Sequence, residues 1–163
     1  MKELTHFDES GRSSMVDVSR KQETLREATA TATVNMRPET FLRIMDRKIE
    51  KGDVLGVAQV AGIMAAKRTG GLIPMCHPLN ITSVTMDFFP KQEASQIEVK
   101  ATVKIMGRTG TEMEALVAVS AASLTIYDMC KAVDRGMTIT DIKLLKKSGG
   151  KSGTFERGKA LTR

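Results

Sequence analysis

Asp128 and Lys131 are the two residues whose types and spacing best suit acid–base chemistry. They follow a segment from Ala115 to Tyr127 that contains no charged residue, and a spacing of three puts both side chains on one face of a helix. A surface ion pair is the commonest meaning of that spacing. In a site of low dielectric, however, Lys131 would favour its neutral form and could transfer protons. The sequence leaves both interpretations open.

A second candidate is the histidine of Pro74-Met75-Cys76-His77-Pro78. The two prolines stiffen the backbone, so the segment could present main-chain groups and an imidazole to a ligand. A turn with an ordinary histidine is the more frequent meaning of a lone His. A structural zinc site needs four ligands, so it would have to use both cysteines and both histidines of the chain. We therefore predict no metal ligands.

Carboxylates cluster at a predicted helix start in Thr111-Glu112-Met113-Glu114. Thr111 and Glu114 have the spacing of a capping box, in which the two side chains bond exposed amides of the first turn. Glu112 is not needed for that role. Two carboxylates at one helix start can also accept hydrogen bonds from the amide and amino edge of a guanine-like base. Capping is the more frequent use of such residues, and both uses remain open.

Basic residues beside glycines indicate anion binding. Lys51 precedes Asp53, which can cap a helix, and an ammonium is not stabilised by the positive end of a helix dipole. Lys147 precedes the segment 148–153, whose glycines and lysine are typical of a phosphate cradle, although the spacing is not that of a Walker P-loop. For any single lysine, a solvated loop position is the more frequent meaning.

Hydrophobic periodicity predicts the elements that must position these residues. The clearest case is the alternation of threonine with alanine from residue 28 onward, which is typical of a half-exposed strand. The element order favours an α+β fold with helices on one face of an antiparallel sheet. We predict strands at 15–18, 26–36, 81–89, 96–105 and 137–145, a short helix from Pro38, and helices at 54–68 and 112–133.

Two of the predicted helices are apolar on all sides. The segments 54–66 and 115–127 contain no charged residue, and a chain of 163 residues has little material to cover them. We therefore expect association of identical subunits into a homo-oligomer.

Composition limits the class of protein. With 41% hydrophobic and 27% charged residues, the chain fits one catalytic domain over 1–163, with a mobile arm at 1–12 and a flexible Gly/Lys-rich segment at 148–163. A net charge of +6 favours an anionic partner, while 4% aromatic residues argue against nucleic acid. The absence of long apolar stretches predicts no membrane association, and two isolated cysteines indicate the cytoplasm.

Eight stretches between Leu4 and Gly153 form a family pattern: LTHFD, MVDVS with the following KQETLREA, KGDV, AGIMAAKRT, LIPMCHPL, GRTGTEMEAL, LTIYDMCKAV and LLKKSGGKSG. LIPMCHPL, TEMEAL and TIYDMCKA are long and specific. Together the stretches resemble the cyclic pyranopterin monophosphate synthase family of molybdenum cofactor biosynthesis, and no motif position departs from the family pattern.

The resemblance implies a ferredoxin-like α+β subunit, assembled as a hexamer of three dimers with active sites at subunit interfaces. It implies a lyase that converts 3',8-cyclo-7,8-dihydroguanosine triphosphate (3',8-cyclo-7,8-dihydro-GTP) to cyclic pyranopterin monophosphate with release of diphosphate. No cofactor is required by the sequence, although Mg²⁺ could accompany the triphosphate of this small-molecule nucleotide substrate.

The resemblance also implies roles for individual residues. Asp128, Lys131 and Lys51 take catalytic positions, and because a lysine beside other cations loses its proton more easily, Lys131 could act as the base. Substrate contacts are implied for nine residues of the other motifs: Met75, Cys76, His77, Glu112, Met113, Glu114, Arg26, Asp17 and Lys147.

Overall fold

The structure is a computed structural model that describes residues 11–158, in which five strands and four helices occur. Residues 1–10, with the LTHFD motif and most of the predicted arm, and residues 159–163 lie outside the described residues. The elements are β1 Thr24–Asn35, α1 Pro38–Met45, α2 Val54–Ala66, α3 Thr69–Leu72, β2 Ile81–Lys91, β3 Gln96–Gly107, α4 Glu112–Cys130, β4 Thr138–Ser148 and β5 Phe155–Glu156.

All five strands join in one antiparallel sheet, in the order β2-β3-β1-β4-β5. The central strand β1 pairs with β3 on one side and with β4 on the other. Ala28, Ala30 and Ala32 are at most 1% exposed, because alternate side chains of β1 face the helices. On the opposite face the Thr29 and Thr102 hydroxyls share a hydrogen bond of 3.0 Å. The predicted α+β, ferredoxin-like class is confirmed.

Helices α2 and α4 pack side by side on one face of this sheet. Helix α4 lies over β1, β3 and β4, while α2 contacts α4 and β2. The two helices approach closely at Gly62, where a Cβ would lie 2.8 Å from the Met86 methyl carbon and 3.0 Å from the Ala118 carbonyl oxygen. As predicted, Asp53 caps α2, its carboxylate accepting a hydrogen bond from the Gly56 amide at 3.0 Å.

By length and composition alone, α4 could cross a membrane, but half of it is buried inside the protein. Its side chains toward the sheet, Ala115, Ala118, Val119, Ala122 and Ile126, have no exposed surface. A core helix of a packed domain passes the same length and composition test, so this feature does not indicate a membrane protein.

One chain does not cover its two apolar helices completely. Leu124 of α4 is 60% exposed, and α2 leaves Val57, Val60 and Met64 exposed by 46%, 56% and 46%. These exposed side chains agree with the expectation that a chain of this size has too little material to cover both helices by itself. Clustered exposed apolar side chains are typical of an interaction surface.

The predicted strand at 15–18 is wrong. Residues 15–18 form no strand and are followed by a turn at 19–20. Both edges of β1 are already occupied by β3 and β4, and this segment instead crosses a cavity that Val16 and Val18 help to line. An alternating pattern of four residues is a weak signal, because strand formation depends on the surroundings of the segment in the fold.

The other boundaries differ by smaller amounts. Helix α2 ends at Ala66, and Gly70 and Gly71 lie inside the short helix α3 rather than ending α2 directly. Helix α4 ends at Cys130, before the predicted residue 133. The segment 148–163, predicted to be flexible, contains a regular element, because β5 pairs with β4.

Candidate active site

A cavity of about 1300 Å³ opens at the N-terminal end of α4. Its walls come from the start of β1, the segment between α3 and β2, the loop before α4, and the end of β4 with the loop that follows. Segments distant in the chain therefore meet at one concave site. Eight of the residues singled out from the sequence line it: Arg26, Met75, Cys76, His77, Glu112, Met113, Glu114 and Lys147.

Two carboxylates stand on the first turn of α4 in different surroundings. Glu114 is only 3% exposed, while the side chain of Glu112 is 25% exposed. Burial raises the pKa of Glu114, and the negative charge of Glu112 acts in the same direction. The Thr111 side chain makes no capping hydrogen bond, so the predicted capping box is not formed. The capping box therefore does not account for these carboxylates, although Glu114 still accepts a hydrogen bond from its own backbone amide.

Lys147 reaches across the cavity from β4 to Glu112. The Lys147 Nζ and Glu112 Oε1 atoms are 2.7 Å apart, a strong charge-assisted hydrogen bond. Arg26 of β1 lies beside them, its Nε donating to the Gly107 carbonyl at 2.9 Å. This bond orients the guanidinium, which leaves its other donors available to an anion.

The glycines after β4 allow the chain to pass close to Arg26. Gly149 and Gly150 have φ values of +96° and +74°, which favour glycine. A Cβ on Gly149 would lie 2.2 Å from the Leu25 carbonyl oxygen, and one on Gly150 would lie 2.3 Å from the Arg26 Nη1 atom. The loop therefore requires glycine at both positions, and it brings Lys151 into the cavity wall.

Sequence reasoning missed three basic residues of this cavity, Arg20, Lys21 and Arg108, and it included Lys151 only as the lysine of the possible phosphate cradle. Lys21 and Arg108 lie within the family motifs KQETLREA and GRTGTEMEAL, but their neighbours in space are not visible in the sequence. Six basic side chains and three acidic ones, Glu27, Glu112 and Glu114, line the cavity among the described residues. Such a wall attracts an anionic ligand.

Asp17, a predicted substrate contact, is not among the residues that line this cavity. Its side chain is exposed, and its Oδ1 accepts a hydrogen bond from the Ser19 amide at 2.8 Å. That hydrogen bond lowers the pKa of Asp17. Within one chain the residue forms a local turn, and its contact with substrate stays a prediction.

The three predicted catalytic residues form a separate cluster near the C-terminal end of α4. The Asp128 carboxylate lies 2.6 Å from Lys131 Nζ and 3.2 Å from Lys51 Nζ. Lys51 also donates to the Asp128 backbone carbonyl at 2.9 Å. Hydrogen bonds from Lys131 and Lys51, together with the charges of these lysines, lower the pKa of Asp128. One carboxylate thus holds two ammonium groups.

The prediction that Lys131 lies in a site of low dielectric is wrong for the single chain. Its side chain is 53% exposed, and that of Asp128 is 58% exposed. The hydrogen bond and charge of Asp128 raise the pKa of Lys131, which favours the ammonium form. The apolar segment before Asp128 packs on the sheet and does not enclose this pair, which explains the difference.

The two clusters are too far apart to act on the same atoms within one chain. Glu114 and Asp128 are separated by most of α4, an axial distance of about 21 Å at 1.5 Å per helical residue. Neither Lys51, Asp128 nor Lys131 lines the cavity. Since a general acid or base must lie within about 3 Å of the atom it serves, each chain holds two parts of a site without joining them.

Neither cysteine is suited to nucleophilic catalysis. Cys76 and Cys130 are both free, and burial raises the pKa of each thiol, that of Cys130 to about 11. At neutral pH both are therefore thiols rather than nucleophilic thiolates. Between residues 11 and 158, no three His, Cys, Asp or Glu side chains converge in a way that could hold a metal ion.

The fold and the cavity define an α+β protein with a small-molecule site that carries many cations. A family model described as the MoaC family matches residues 15–150. A protein of Thermoanaerobacter sp. (strain X514) is 60% identical over 154 residues, which cover 94% of this chain and 98% of the relative. A protein of Desulfitobacterium hafniense (strain DSM 10664 / DCB-2) is 61% identical over 155 residues, 95% of this chain and 94% of the relative.

A protein of Syntrophomonas wolfei subsp. wolfei (strain DSM 2245B / Goettingen) is also 61% identical, over 154 residues, 94% of this chain and 98% of the relative. All three relatives carry the name cyclic pyranopterin monophosphate synthase. The chain belongs to the MoaC family, and the family resemblance found in its motifs is confirmed.

Proposed function

We propose that this protein is a cyclic pyranopterin monophosphate synthase, a lyase of molybdenum cofactor biosynthesis. It converts 3',8-cyclo-7,8-dihydro-GTP to cyclic pyranopterin monophosphate and releases diphosphate. The observation that carries the proposal is the meeting of the two carboxylates of α4, six cations and His77 in one cavity, within a chain about 60% identical to proteins of that name.

The cavity suits each end of such a substrate. The triphosphate requires several cations, which Arg26, Lys151 and their basic neighbours supply. The purine-derived ring offers N–H donors, which the carboxylates of Glu112 and Glu114 can accept. The same cations stabilise the negative charge that develops on diphosphate as it leaves. Mg²⁺ bound to the triphosphate would add to this effect.

The reaction needs proton transfers as well as binding. A hydroxyl oxygen of the substrate attacks the α-phosphorus, its proton is removed, and the bond from the α-phosphorus to diphosphate breaks. In the single chain Asp128 is ionised and Lys131 is an ammonium, so these resting protonation states allow Asp128 only to accept a proton and Lys131 only to donate one, while the shift of each pKa makes that transfer harder. We therefore assign Lys131 as the proton donor, in place of the base expected from the sequence.

The separation of the two clusters supports a site shared between subunits. A second copy that brings its Lys51–Asp128–Lys131 cluster to the cavity of the first would complete the constellation. The exposed apolar face of α2, formed by Val57, Val60 and Met64, begins next to Asp53 and therefore close to Lys51. We propose that this face is covered in a homohexamer built as a trimer of dimers.

Turnover is the direct test of the function. The purified protein is incubated with 3',8-cyclo-7,8-dihydro-GTP, and released diphosphate and an oxidisable pterin are both measured. Added chelator tests whether Mg²⁺ contributes. Release of diphosphate without a pterin would indicate simple hydrolysis and contradict the proposal. Two free cysteines accord with a cytoplasmic location, which fractionation of cells would test.

A further inference from the structure

The ion pair between Lys147 and Glu112 occupies the groups that a nucleotide needs. Lys147 is a natural partner for phosphate, and Glu112 is a natural partner for the N–H edge of a purine-derived ring. Here they bind each other at 2.7 Å, with side chains only 29% and 25% exposed. A ligand must therefore compete with an existing, partly buried charge pair.

Both partners are fixed by the fold rather than by chance contact at the surface. Lys147 lies in β4 between Ala28 of β1 and Phe155 of β5. Glu112 begins α4, and its carboxylate folds back over Gly110, where a Cβ would lie 1.8 Å from its Oε2 atom. Glycine at position 110 thus leaves the space that lets the carboxylate face Lys147. A pair held in this way is stronger than an exposed one.

We propose that the Lys147–Glu112 pair is a latch that couples the binding of the phosphate end and the base end of the substrate. This inference rests on the proposed function. A ligand that carries both ends replaces both partners at once. A ligand with one end leaves the second partner as an unpaired, partly buried charge, which is unfavourable. The site therefore favours an intact nucleotide over free diphosphate or a free purine.

The latch also favours release of one product. Once the bond from the α-phosphorus breaks, the two outer phosphates leave as diphosphate, while the α-phosphate stays with the base end as the cyclic phosphate. Diphosphate and the base end are then no longer coupled. Lys147 can then return to Glu112, and the detached diphosphate loses one of its cations to an internal competitor. Among the described residues, the five other arginine and lysine side chains of the cavity form no ion pair with a cavity carboxylate: Arg20, Lys21, Arg26, Arg108 and Lys151.

Calorimetric titration with inorganic triphosphate tests the latch, because this probe has the phosphate end alone. Glu112→Gln frees Lys147, so we expect it to bind inorganic triphosphate about tenfold tighter than the unmodified protein, a change of about 1.4 kcal/mol. The matched control is Glu27→Gln. Glu27 lines the same cavity, but its partners are Lys104 at 3.1 Å and Lys146 at 3.9 Å, neither of which lines it. This control removes the same charge and should strengthen binding about twofold or less.

A double variant shows whether the gain acts through Lys147. Glu112→Gln combined with Lys147→Met should lose the tenfold gain. The latch is refuted by equal strengthening in the Glu112 and Glu27 variants, by a gain that survives the loss of Lys147, or by no detectable triphosphate binding in any variant. Turnover is measured separately. An inactive unmodified protein refutes the proposed function, whereas an active one with no difference between the two single variants refutes the latch alone.

Discussion

At the scale of single residues, the role of Lys131 is the sharpest question. Its ammonium lies 2.6 Å from Asp128 and is kept protonated by it. If Lys131 transfers a proton, Lys131→Ala should lower kcat by a factor on the order of 10² or more, with KM changed little. His77→Ala, in the cavity wall, should instead mainly raise KM. Steady-state kinetics on both variants distinguishes the two roles.

A matched control removes an ordinary surface lysine. Lys143 forms a similar ion pair, 3.0 Å from Asp141, outside both clusters. Lys143→Ala should keep kcat within about twofold, because exposed ion pairs contribute little. Near-normal kcat in Lys131→Ala at saturating substrate would show that Lys131 only anchors the substrate, and the proton donor would then lie elsewhere.

Glu114 should make the protein less stable as pH rises, which is the opposite of the usual effect of a carboxylate. Burial raises its pKa in the folded state above the ordinary 4.5. The folded protein therefore binds the proton more tightly than the unfolded chain, and stability is lost as pH rises through the folded-state pKa. Glu114→Gln removes that loss. It should raise the Tm at neutral pH, and the difference should vanish below about pH 4.5, as thermal unfolding across pH would show.

Glu98 provides a control of opposite sign. Its hydrogen bond with Lys91 lowers its pKa, so its contribution to stability is present above the unfolded-state pKa and is lost as pH falls through the folded-state pKa. Glu98→Gln should therefore lower the Tm at neutral pH and converge with the unmodified protein in acid. A Tm for Glu114→Gln that is lower than normal at pH 7 would contradict the argument from burial.

At the scale of secondary-structure elements, Asp134 joins the start of α1 to the loop after α4. It is 3% exposed and accepts hydrogen bonds from the Arg37 amide at 2.9 Å, the Thr40 hydroxyl at 3.2 Å and the Gly136 amide at 3.1 Å. Asp134→Ala leaves these donors without their partner and should reduce the free energy of unfolding by about 1–3 kcal/mol. At about 2–4 °C per kcal/mol, calorimetry should detect the fall in Tm.

Asp46→Ala is the control for this prediction. Asp46 is exposed and pairs only with Lys48 among the ion pairs described for it, at 2.8 Å, so its loss should change stability by less than about 0.5 kcal/mol. Equal effects of the two substitutions would show that the Asp134 hydrogen bonds do not hold these elements together.

At the scale of the whole molecule, the shared site predicts complementation between two inactive proteins. Lys131→Ala lacks the catalytic cluster, and Glu114→Ala lacks a cavity carboxylate. If each site takes its cluster from one chain and its cavity from another, equal mixtures should recover about one quarter of normal activity after subunit exchange. Mixing each variant with itself is the control.

Light scattering adds an independent measurement at this scale. The apolar face of α2 predicts a mass that is a multiple of 17.8 kDa at micromolar concentration. A monomer of 17.8 kDa would contradict a site shared between subunits. Mixtures that exchange subunits and stay as inactive as the two variants alone would also contradict it.

The sequence by itself determined the family, the fold class and most elements. Family motifs such as LIPMCHPL and TEMEAL are contiguous, so they can be recognised without knowing what they contact. Pro38 and Asp53 mark helix starts through local physics, because capping and fixed φ act within one turn. The alternation in β1 likewise records which face is buried.

Only the tertiary structure decided which residues meet and in what environment. The fold places Arg20 and Arg108 in the cavity wall. It leaves the Lys131 side chain, which was expected in a site of low dielectric, exposed in the single chain. Proton affinity depends on solvent and on charges brought from elsewhere in the chain, and periodicity does not encode these. The length of α4 likewise decided that groups at its two ends cannot act on the same atoms within one chain, because a rigid helix holds them about 21 Å apart.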